Sequence, residues 1–211
     1  MRNKEELKAE QKEYFTRKAV EWNQEPDKYR EGIDHVVSTI GMKGNERVLD
    51  VGTGIGIVIP SYEKVLTTGS VLAFDYTPKM IEVAKERYPK EQHPKVDFEV
   101  LDLYGLEFDS EFDVVVCYSC FPHFIDQEKA VMILSRSLKE GGKFVVTSLS
   151  SNSRMKMKME QKHDHIEHYH ISAPDLISLM AGHGLHLTYA QIDSGYDIII
   201  GVKKGNCSEC R

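Results

Sequence analysis

The chain has little of what marks membrane, nucleic-acid-binding or disulfide-stabilised proteins. No stretch approaches the roughly 18 uninterrupted apolar residues of a membrane-spanning helix. The charged N-terminal segment MRNKEELKAEQKEYF also lacks the apolar run of a signal peptide. The 27 Lys and Arg residues are outnumbered by 33 Asp and Glu residues and form no block. Because binding to phosphate backbones needs a clustered positive face, we expect no nucleic-acid partner. The missing apolar runs lead us to expect a cytoplasmic protein with no membrane partner.

Cysteine is also scarce, with four residues in two pairs. Cys117 and Cys120 lie in and just after an apolar run, which indicates reduced thiols in a core. Cys207 and Cys210 form a CxxC among the last residues. That spacing resembles half of a metal or redox site, but no second half of the same kind accompanies it, so its role stays open.

Internal repeats and linkers rich in glycine or serine are absent, so the 211 residues predict one domain. Residues 3–23 and 30–42 carry apolar side chains near helical spacing and predict two N-terminal helices. From Arg47 onward, strands alternate with helices, which is typical of a parallel sheet with helices on both faces. The final strands, LHLTYAQID and YDIIIGVKK, are separated only by Ser194 and Gly195, so the last strand should run antiparallel.

The segment RVLDVGTGIG takes a strand that ends at Val51 into glycines at every second position. In an open parallel sheet a ligand binds beyond the carboxyl ends of the strands, and glycine lets the backbone turn and approach it. A dinucleotide fingerprint would need its third glycine where Ile57 stands, and a phosphate loop would need a Lys-Ser/Thr pair that is missing. Two carboxylates remain: Asp50 precedes the loop and Asp75 ends the next strand.

VLDVGTGIG is followed in order by AFDYTPKMIEVAKER, the Asp102-Leu103 pair, FDVVVCYSCFPHF and LKEGGKFVVTS. This series resembles the Rossmann-like, class I S-adenosylmethionine-dependent methyltransferases of small-molecule type, from Arg47 to Lys203. The resemblance implies an α/β fold: a seven-stranded, mostly parallel sheet with the last strand antiparallel, helices on both faces and an N-terminal helical cap. The single domain of residues 1–211 then divides into the cap at 1–42, a cofactor-binding core at 46–150, a His-rich lid at 151–171, a C-terminal helix and hairpin at 172–204, and a tail at 205–211.

The same resemblance implies S-adenosylmethionine as cofactor. Gly52 and Gly54 are expected to approach its methionine part, and Asp50 to hold the ammonium group or the loop. Asp75 should accept both ribose hydroxyls, since an ionised carboxylate offers two acceptor oxygens. For both aspartates the alternative is loop capping and turn formation.

At the adenine end, Asp102 is placed to take the amino group, with Leu103 offering a backbone N–H, while Tyr76 and Met80 flank the ring. The complete expected set of cofactor-binding residues is Asp50, Gly52, Thr53, Gly54, Gly56, Asp75, Tyr76, Met80, Asp102, Leu103, Cys117, Phe15 and Trp22. The last two are aromatic residues of the first predicted helix. They either fold over the cofactor or pack against the helices of the sheet.

The stretch CYSCFPHFID follows the fourth strand, beside the expected sulfonium. It lacks the Asn/Asp-Pro-Pro-aromatic sequence found in methyltransferases that act on amino groups of bases or glutamine. His123 is its candidate catalytic residue, as a base or a ligand. The alternative is a histidine that caps the next helix or packs under the loop.

Histidines are concentrated in KHDHIEHYH, as His163, His165, His168 and His170. Imidazoles at this spacing can share a divalent metal ion, with His123 as an additional ligand. The alternative is a solvated polar lid. The sequence therefore predicts a methyltransferase whose small-molecule acceptor lies under the N-terminal helix and the His-rich segment. A metal-binding or sensing protein on the same fold is the alternative, and the acceptor atom and oligomeric state stay open.

Overall fold

The computed structural model describes residues 3–24, 29–148, 168–192 and 196–205. Its helices are α1 (Lys4–Trp22), α2 (Arg30–Ile40), α3 (Ile59–Val65), α4 (Pro78–Arg87), α5 (Gln127–Ser137) and α6 (Ala173–Gly182). Its strands are β1 (Arg47–Val51), β2 (Ser70–Asp75), β3 (Val96–Val100), β4 (Phe112–Tyr118), β5 (Leu138–Ser148), β6 (Leu185–Ile192) and β7 (Asp197–Lys203). Two short 3₁₀ turns, Leu103–Gly105 and Phe121–His123, follow β3 and β4.

The ends of several helices follow from the residue types found there. Asn3 and Glu6 form a capping box at the start of α1, in which each side chain accepts a hydrogen bond from the other residue's backbone N–H. Ser172 caps α6 by accepting from the backbone N–H of Asp175. Gly41 follows α2 with φ of 64°, a left-handed conformation that stops the helix at a residue without Cβ.

All strands lie in one sheet of order β3-β2-β1-β4-β5-β7-β6. β7 pairs antiparallel with both β5 and β6, whereas the other pairings are parallel. This confirms the predicted fold class, including the antiparallel last strand. The chain builds outward from β1 to β3 and then crosses back to β4 on the other side of β1. Ligands bind at such a reversal of strand order, so the carboxyl ends of β1 and β4 mark the expected site.

The core lies on both faces of the sheet, because neighbouring side chains of a strand point to opposite faces. In β1, Val48 belongs to the apolar cluster that includes residues of α2, α3 and α4. Leu49 and Val51 belong to the opposite cluster, which includes residues of α5 and α6. Each fully buried aliphatic side chain contributes about 1.5–3 kcal/mol, so these two clusters provide most of the favourable free energy of folding.

Helix α1 packs outside these two clusters. Phe15 and Ala19 are buried against Ile55 of the glycine loop and against Met80 and Val83 of α4. This packing places α1 over the carboxyl ends of the central strands. Among the helices that the structure describes, none is both long and apolar enough to cross a bilayer.

Most of the predicted His-rich lid at 151–171 and of the tail at 205–211 lies outside the described residues. The same holds for His163, His165 and the CxxC of Cys207 and Cys210. The division of the chain into cap, core, lid, hairpin and tail stays a prediction.

Candidate functional site

The glycine loop after β1 has three left-handed residues, with φ of 62° at Gly52, 56° at Gly54 and 78° at Gly56. A Cβ on Gly52 would lie 2.8 Å from Cβ of Cys120, which is closer than packed atoms allow. A Cβ on Gly56 would lie 2.9 Å from the ring of Tyr88. Gly52 therefore permits the close approach of the segment after β4, whereas Gly56 permits packing against the end of α4.

A cavity of about 780 Å³ opens at the reversal of strand order, beneath α1. Its floor contains residues from the ends of β1, β2 and β4, and its volume is in the range of small-molecule sites. All but two of the cofactor-binding residues predicted from the sequence line it, together with His123. The two exceptions are Gly56 and Cys117.

Cys117 does not line the cavity, contrary to the prediction that it binds the cofactor. It is the second-to-last residue of β4, and its fully buried side chain joins the cluster beneath α5 and α6. Side chains alternate along a strand, so the next residue, Tyr118, turns to the opposite face. Tyr118, Ser119 and Cys120 line the cavity instead. Ser119 has φ of 54°, which is unusual for a residue with a Cβ and is the kind of strain found at functional sites.

Asp75 ends β2 with a nearly buried carboxylate. One oxygen accepts from the backbone N–H of Thr77 at 2.8 Å, and the other accepts from that of Gly54 at 3.1 Å. Burial raises the pKa of Asp75, and these backbone hydrogen bonds oppose the shift. Each oxygen keeps a further lone pair, so the carboxylate is fixed in orientation and can still accept from a ligand.

Asp50 lies fully buried under the loop. Its carboxylate accepts from the hydroxyls of Thr53 at 2.6 Å and Tyr62 at 3.1 Å. Burial raises its pKa to about 6 against the effect of these two bonds, and the nearby charge of Asp75 adds to the rise. Asp50 thus holds the loop in place, which is one of its two expected roles.

The adenine end expected from the sequence is formed after β3. Asp102 caps the 3₁₀ turn, where its Oδ1 accepts from the backbone N–H of Tyr104 at 3.0 Å. Its Oδ2 accepts from Nζ of Lys8 on α1 at 2.5 Å, a contact between residues far apart in the sequence that local patterns do not reveal. Leu103 is buried and lines the cavity. The buried hydroxyl of Tyr76 has no hydrogen-bond partner among the described residues.

Aromatic contacts connect α1 to the loop after β4. The ring centroid of Phe15 lies 5.0 Å from that of His123 and 6.2 Å from that of Trp22, both in edge-on geometry. Gln11 donates from Nε2 to the backbone oxygen of His123 at 3.1 Å. Trp22 lines the cavity while 44% of its surface stays exposed. Helix α1 is thus the roof of the cavity and contacts the segment that carries the candidate base.

The His123 ring lies 4.6 Å from that of His168, which in turn lies 6.2 Å from that of His170. A backbone hydrogen bond joins the two segments that carry these rings: the N–H of Tyr169 donates to the backbone oxygen of Pro122 at 2.7 Å. Nδ1 is buried without a partner in both His123 and His168, as far as the described residues go. Burial lowers the pKa of His123 to about 3, helped by the two neighbouring histidines, and burial also lowers that of His168. Both imidazoles are therefore neutral near pH 7.

The predicted metal site has no counterpart in the part of the chain that the structure describes. No group of three His, Cys, Asp or Glu side chains there has a metal-binding arrangement. Of the five expected ligands, His163 and His165 lie outside the described residues.

Comparisons with known proteins agree with this geometry. A family described as a methyltransferase domain matches residues 49–146. The ubiquinone/menaquinone biosynthesis C-methyltransferase of Geobacter sp. (strain M21) is 30% identical over 128 residues, which cover 57% of this chain and 54% of that protein. A chain from a complex between the Haloferax volcanii Trm112 methyltransferase activator and a methyltransferase superposes with a TM-score of 0.77 at 19% identity, covering 90% of this chain and 98% of that one. Magnesium protoporphyrin IX methyltransferase from Synechocystis PCC 6803, with bound S-adenosylhomocysteine, superposes with a TM-score of 0.65 at 17% identity, covering 83% and 84%.

The fold, the glycine loop with its two carboxylates and these likenesses define the class of protein. Residues 49–146 match a methyltransferase-domain family, and the chain has the fold of the Rossmann-like, class I S-adenosylmethionine-dependent methyltransferases. It spans about half or less of the length of the curated relatives it matches. The methyl acceptors given in the names of those longer proteins are therefore properties of those proteins.

Proposed function

We propose that this protein transfers a methyl group from S-adenosylmethionine to a small-molecule acceptor inside the cavity under α1. The orientation of Asp75 is the observation that carries the proposal. Its carboxylate is fixed by two backbone N–H groups, one from the glycine loop itself, and its remaining lone pairs suit a pair of vicinal hydroxyls. A ribose in the cavity presents that pair.

The other cofactor contacts follow from the position of the ribose. The methionine part would lie along the backbone of Gly52 and Gly54, whose left-handed conformation forms the turn after β1. The adenine would lie between Tyr76 and Leu103, with its amino group directed at Asp102. The residues present therefore fit the cofactor along the whole length of the cavity.

Electrostatics favours the charged methyl donor. Three aspartates of the lining, Asp50, Asp75 and Asp102, surround a ligand that carries a sulfonium and an ammonium group. Transfer of the methyl group removes the sulfonium charge, so the product loses part of this attraction. The same carboxylates thus favour binding before transfer and release after it.

Methyl transfer mainly requires that the acceptor atom be aligned with the methyl group of the donor. Bound S-adenosylmethionine supplies an electrophilic methyl group, and the residues of the chain hold the acceptor in line with it and exclude water. His123 lines the cavity and is neutral near pH 7, and its Nδ1 has no partner among the described residues. We assign to His123 a hydrogen bond with the acceptor hydroxyl, because a pKa of about 3 makes its imidazole too weak a base to take up the proton by itself at pH 7. The acceptor hydroxyl would then lie between His123 and the sulfonium.

The test uses S-adenosylmethionine labelled with tritium in its methyl group. Purified protein is incubated with the small-molecule filtrate of a cell extract and, separately, with the retained macromolecules. The expected result is labelled product, separated by chromatography from unreacted S-adenosylmethionine, in the filtrate only, and about a hundredfold less of it at sub-saturating cofactor when Asp75 is replaced by alanine. Label in the macromolecules alone would contradict the small-molecule acceptor, and no label in either fraction would contradict the activity.

A further inference from the structure

A second, smaller recess of about 330 Å³ adjoins the adenine end of the main cavity. The two spaces share four lining residues: Lys8, Tyr76, Leu101 and Asp102. The outer wall of the recess includes Val100, which is 46% exposed on the edge strand β3. The recess therefore faces solvent on one side and meets the cofactor cavity on the other.

An ion pair spans the shared wall. Nζ of Lys8 lies 2.5 Å from Oδ2 of Asp102 and 5.0 Å from the ring centroid of Tyr104. About a third of the Lys8 side chain and about half of the Asp102 side chain are exposed, at 34% and 49%. Pairs this exposed to water contribute little to stability and break easily. The wall between the recess and the cavity is thus closed by a weak, reversible contact.

The ammonium of Lys8 occupies a position that matters for the ligand. Oδ1 of Asp102 is engaged by the N–H of Tyr104, a backbone contact that fixes the turn. Oδ2 is therefore the oxygen toward which the adenine amino group would donate under the proposed function. Lys8 occupies one of the two lone pairs of this oxygen, so it competes with an adenine amino group that is directed at the same lone pair.

Lys8 can move without displacement of the whole helix. Lys4 pairs with Asp126 at 3.0 Å, and Gln11 donates to the oxygen of His123. The partners of both contacts lie on the segment after β4, and neither partner lines the recess. The apolar packing of Phe15 and the hydrogen bond of Gln11 hold α1 while the Lys8 side chain changes rotamer.

We propose that Lys8 is a side-chain gate between the outer recess and the cofactor cavity, which closes on Asp102 and is displaced by the adenosine end of the cofactor. The inference rests on the proposed function, because it uses the assignment of Asp102 to adenine.

The experiment measures the association rate of S-adenosylhomocysteine by stopped-flow fluorescence. Trp22 is the only tryptophan of the chain and lines the cavity, so it is the built-in probe. S-adenosylhomocysteine has no net charge, so the charge of Lys8 does not steer it from a distance. In Lys8→Met the association should be faster, and the equilibrium affinity tighter by about two- to fivefold, the range for loss of a competing exposed ion pair.

The matched control is Lys4→Met, which removes the other lysine tether of the same helix and should associate at the wild-type rate. Added salt should accelerate association in the wild-type protein but not in Lys8→Met, because salt screens the ion pair. Equal acceleration in both variants would overturn the side-chain gate in favour of movement of the whole helix.

Slower or weaker binding in Lys8→Met would make Lys8 a ligand of the cofactor and would also overturn the gate. Unchanged rates would do the same while leaving the cofactor site intact. A wild-type protein that does not bind S-adenosylhomocysteine would overturn the gate and the proposed function together.

Discussion

Replacing Asp75 with alanine should weaken S-adenosylhomocysteine binding by about a hundredfold. A hydrogen bond to a charged group is worth about 1.5–3 kcal/mol, and the carboxylate is expected to accept from two ribose hydroxyls. The two bonds share one group, so their contributions do not add fully. A net loss of about 2.7 kcal/mol corresponds to the hundredfold change.

The same substitution affects folding, which the experiment has to separate from binding. It leaves the N–H groups of Thr77 and Gly54 without their acceptors, at about 1–3 kcal/mol for a buried group. It also removes a carboxylate whose pKa is raised by burial, which offsets part of that cost. For a chain of this size 1 kcal/mol lowers Tm by about 2–4 °C. The variant should therefore stay folded at 25 °C, and circular dichroism will verify it.

Isothermal titration calorimetry with two ligands then isolates the ribose contact. S-adenosylhomocysteine and methylthioadenosine share the ribose but differ in the amino-acid part, so both should lose affinity by the same factor. Asp97→Asn is the control, because that carboxylate lies on β3 with 61% of its side chain exposed and pairs only with Lys90 among the contacts described. A folded Asp75→Ala protein with affinity within twofold of wild type would refute the assignment.

Three further substitutions test the rest of the site. Asp50→Asn should raise the free energy of unfolding by up to about 3 kcal/mol at pH 7. Burial raises the pKa of Asp50 to about 6, so the stabilisation that protonated Asp50 gives the folded state is present below about pH 4 and lost as pH rises through 6. The Tm values of the wild-type protein and of Asp50→Asn, measured from pH 3 to 8, should therefore converge at the acid end. His123→Ala should lower transfer of labelled methyl by about tenfold, the loss expected for one hydrogen bond of about 1.4 kcal/mol, with calorimetric cofactor affinity unchanged, whereas loss of both would indicate a structural role. Gly52→Ala should lower the free energy of unfolding, measured in urea, by about 1–3 kcal/mol more than Gly141→Ala does. Both glycines have left-handed backbone, but only a Cβ at position 52 would meet Cys120. Equal losses in the two variants would contradict the close approach of Gly52 and Cys120.

The fold was predictable from the sequence because its signals are local. Alternating apolar strands and amphipathic helices specify a parallel sheet, and two strands with almost no residues between them can only pair antiparallel. The loop after β1 was equally clear, since left-handed backbone at every second position requires glycine. Asp75 follows from the same logic, as the end of the strand beside that loop is fixed by the order of elements.

Tertiary packing decided which side of each element faces the cavity. The sequence alone did not reveal that the side chain of Cys117 points away from the cavity whereas Cys120 lines it. Which residues of β4 face the cavity depends on how the strand packs between the two apolar clusters. Gly56 looks like its two neighbours in the loop, yet it contacts Tyr88 at the end of α4.

The contacts of α1 are the clearest case of information that local patterns do not carry. Lys8 meets Asp102 and Gln11 meets His123 across about half of the chain. Side-chain periodicity sets the character of each element within about ten residues. Which loop a helix covers depends on how all the buried surfaces fit together at once, so the roof of the cavity and its lysine contact appear only in the folded chain.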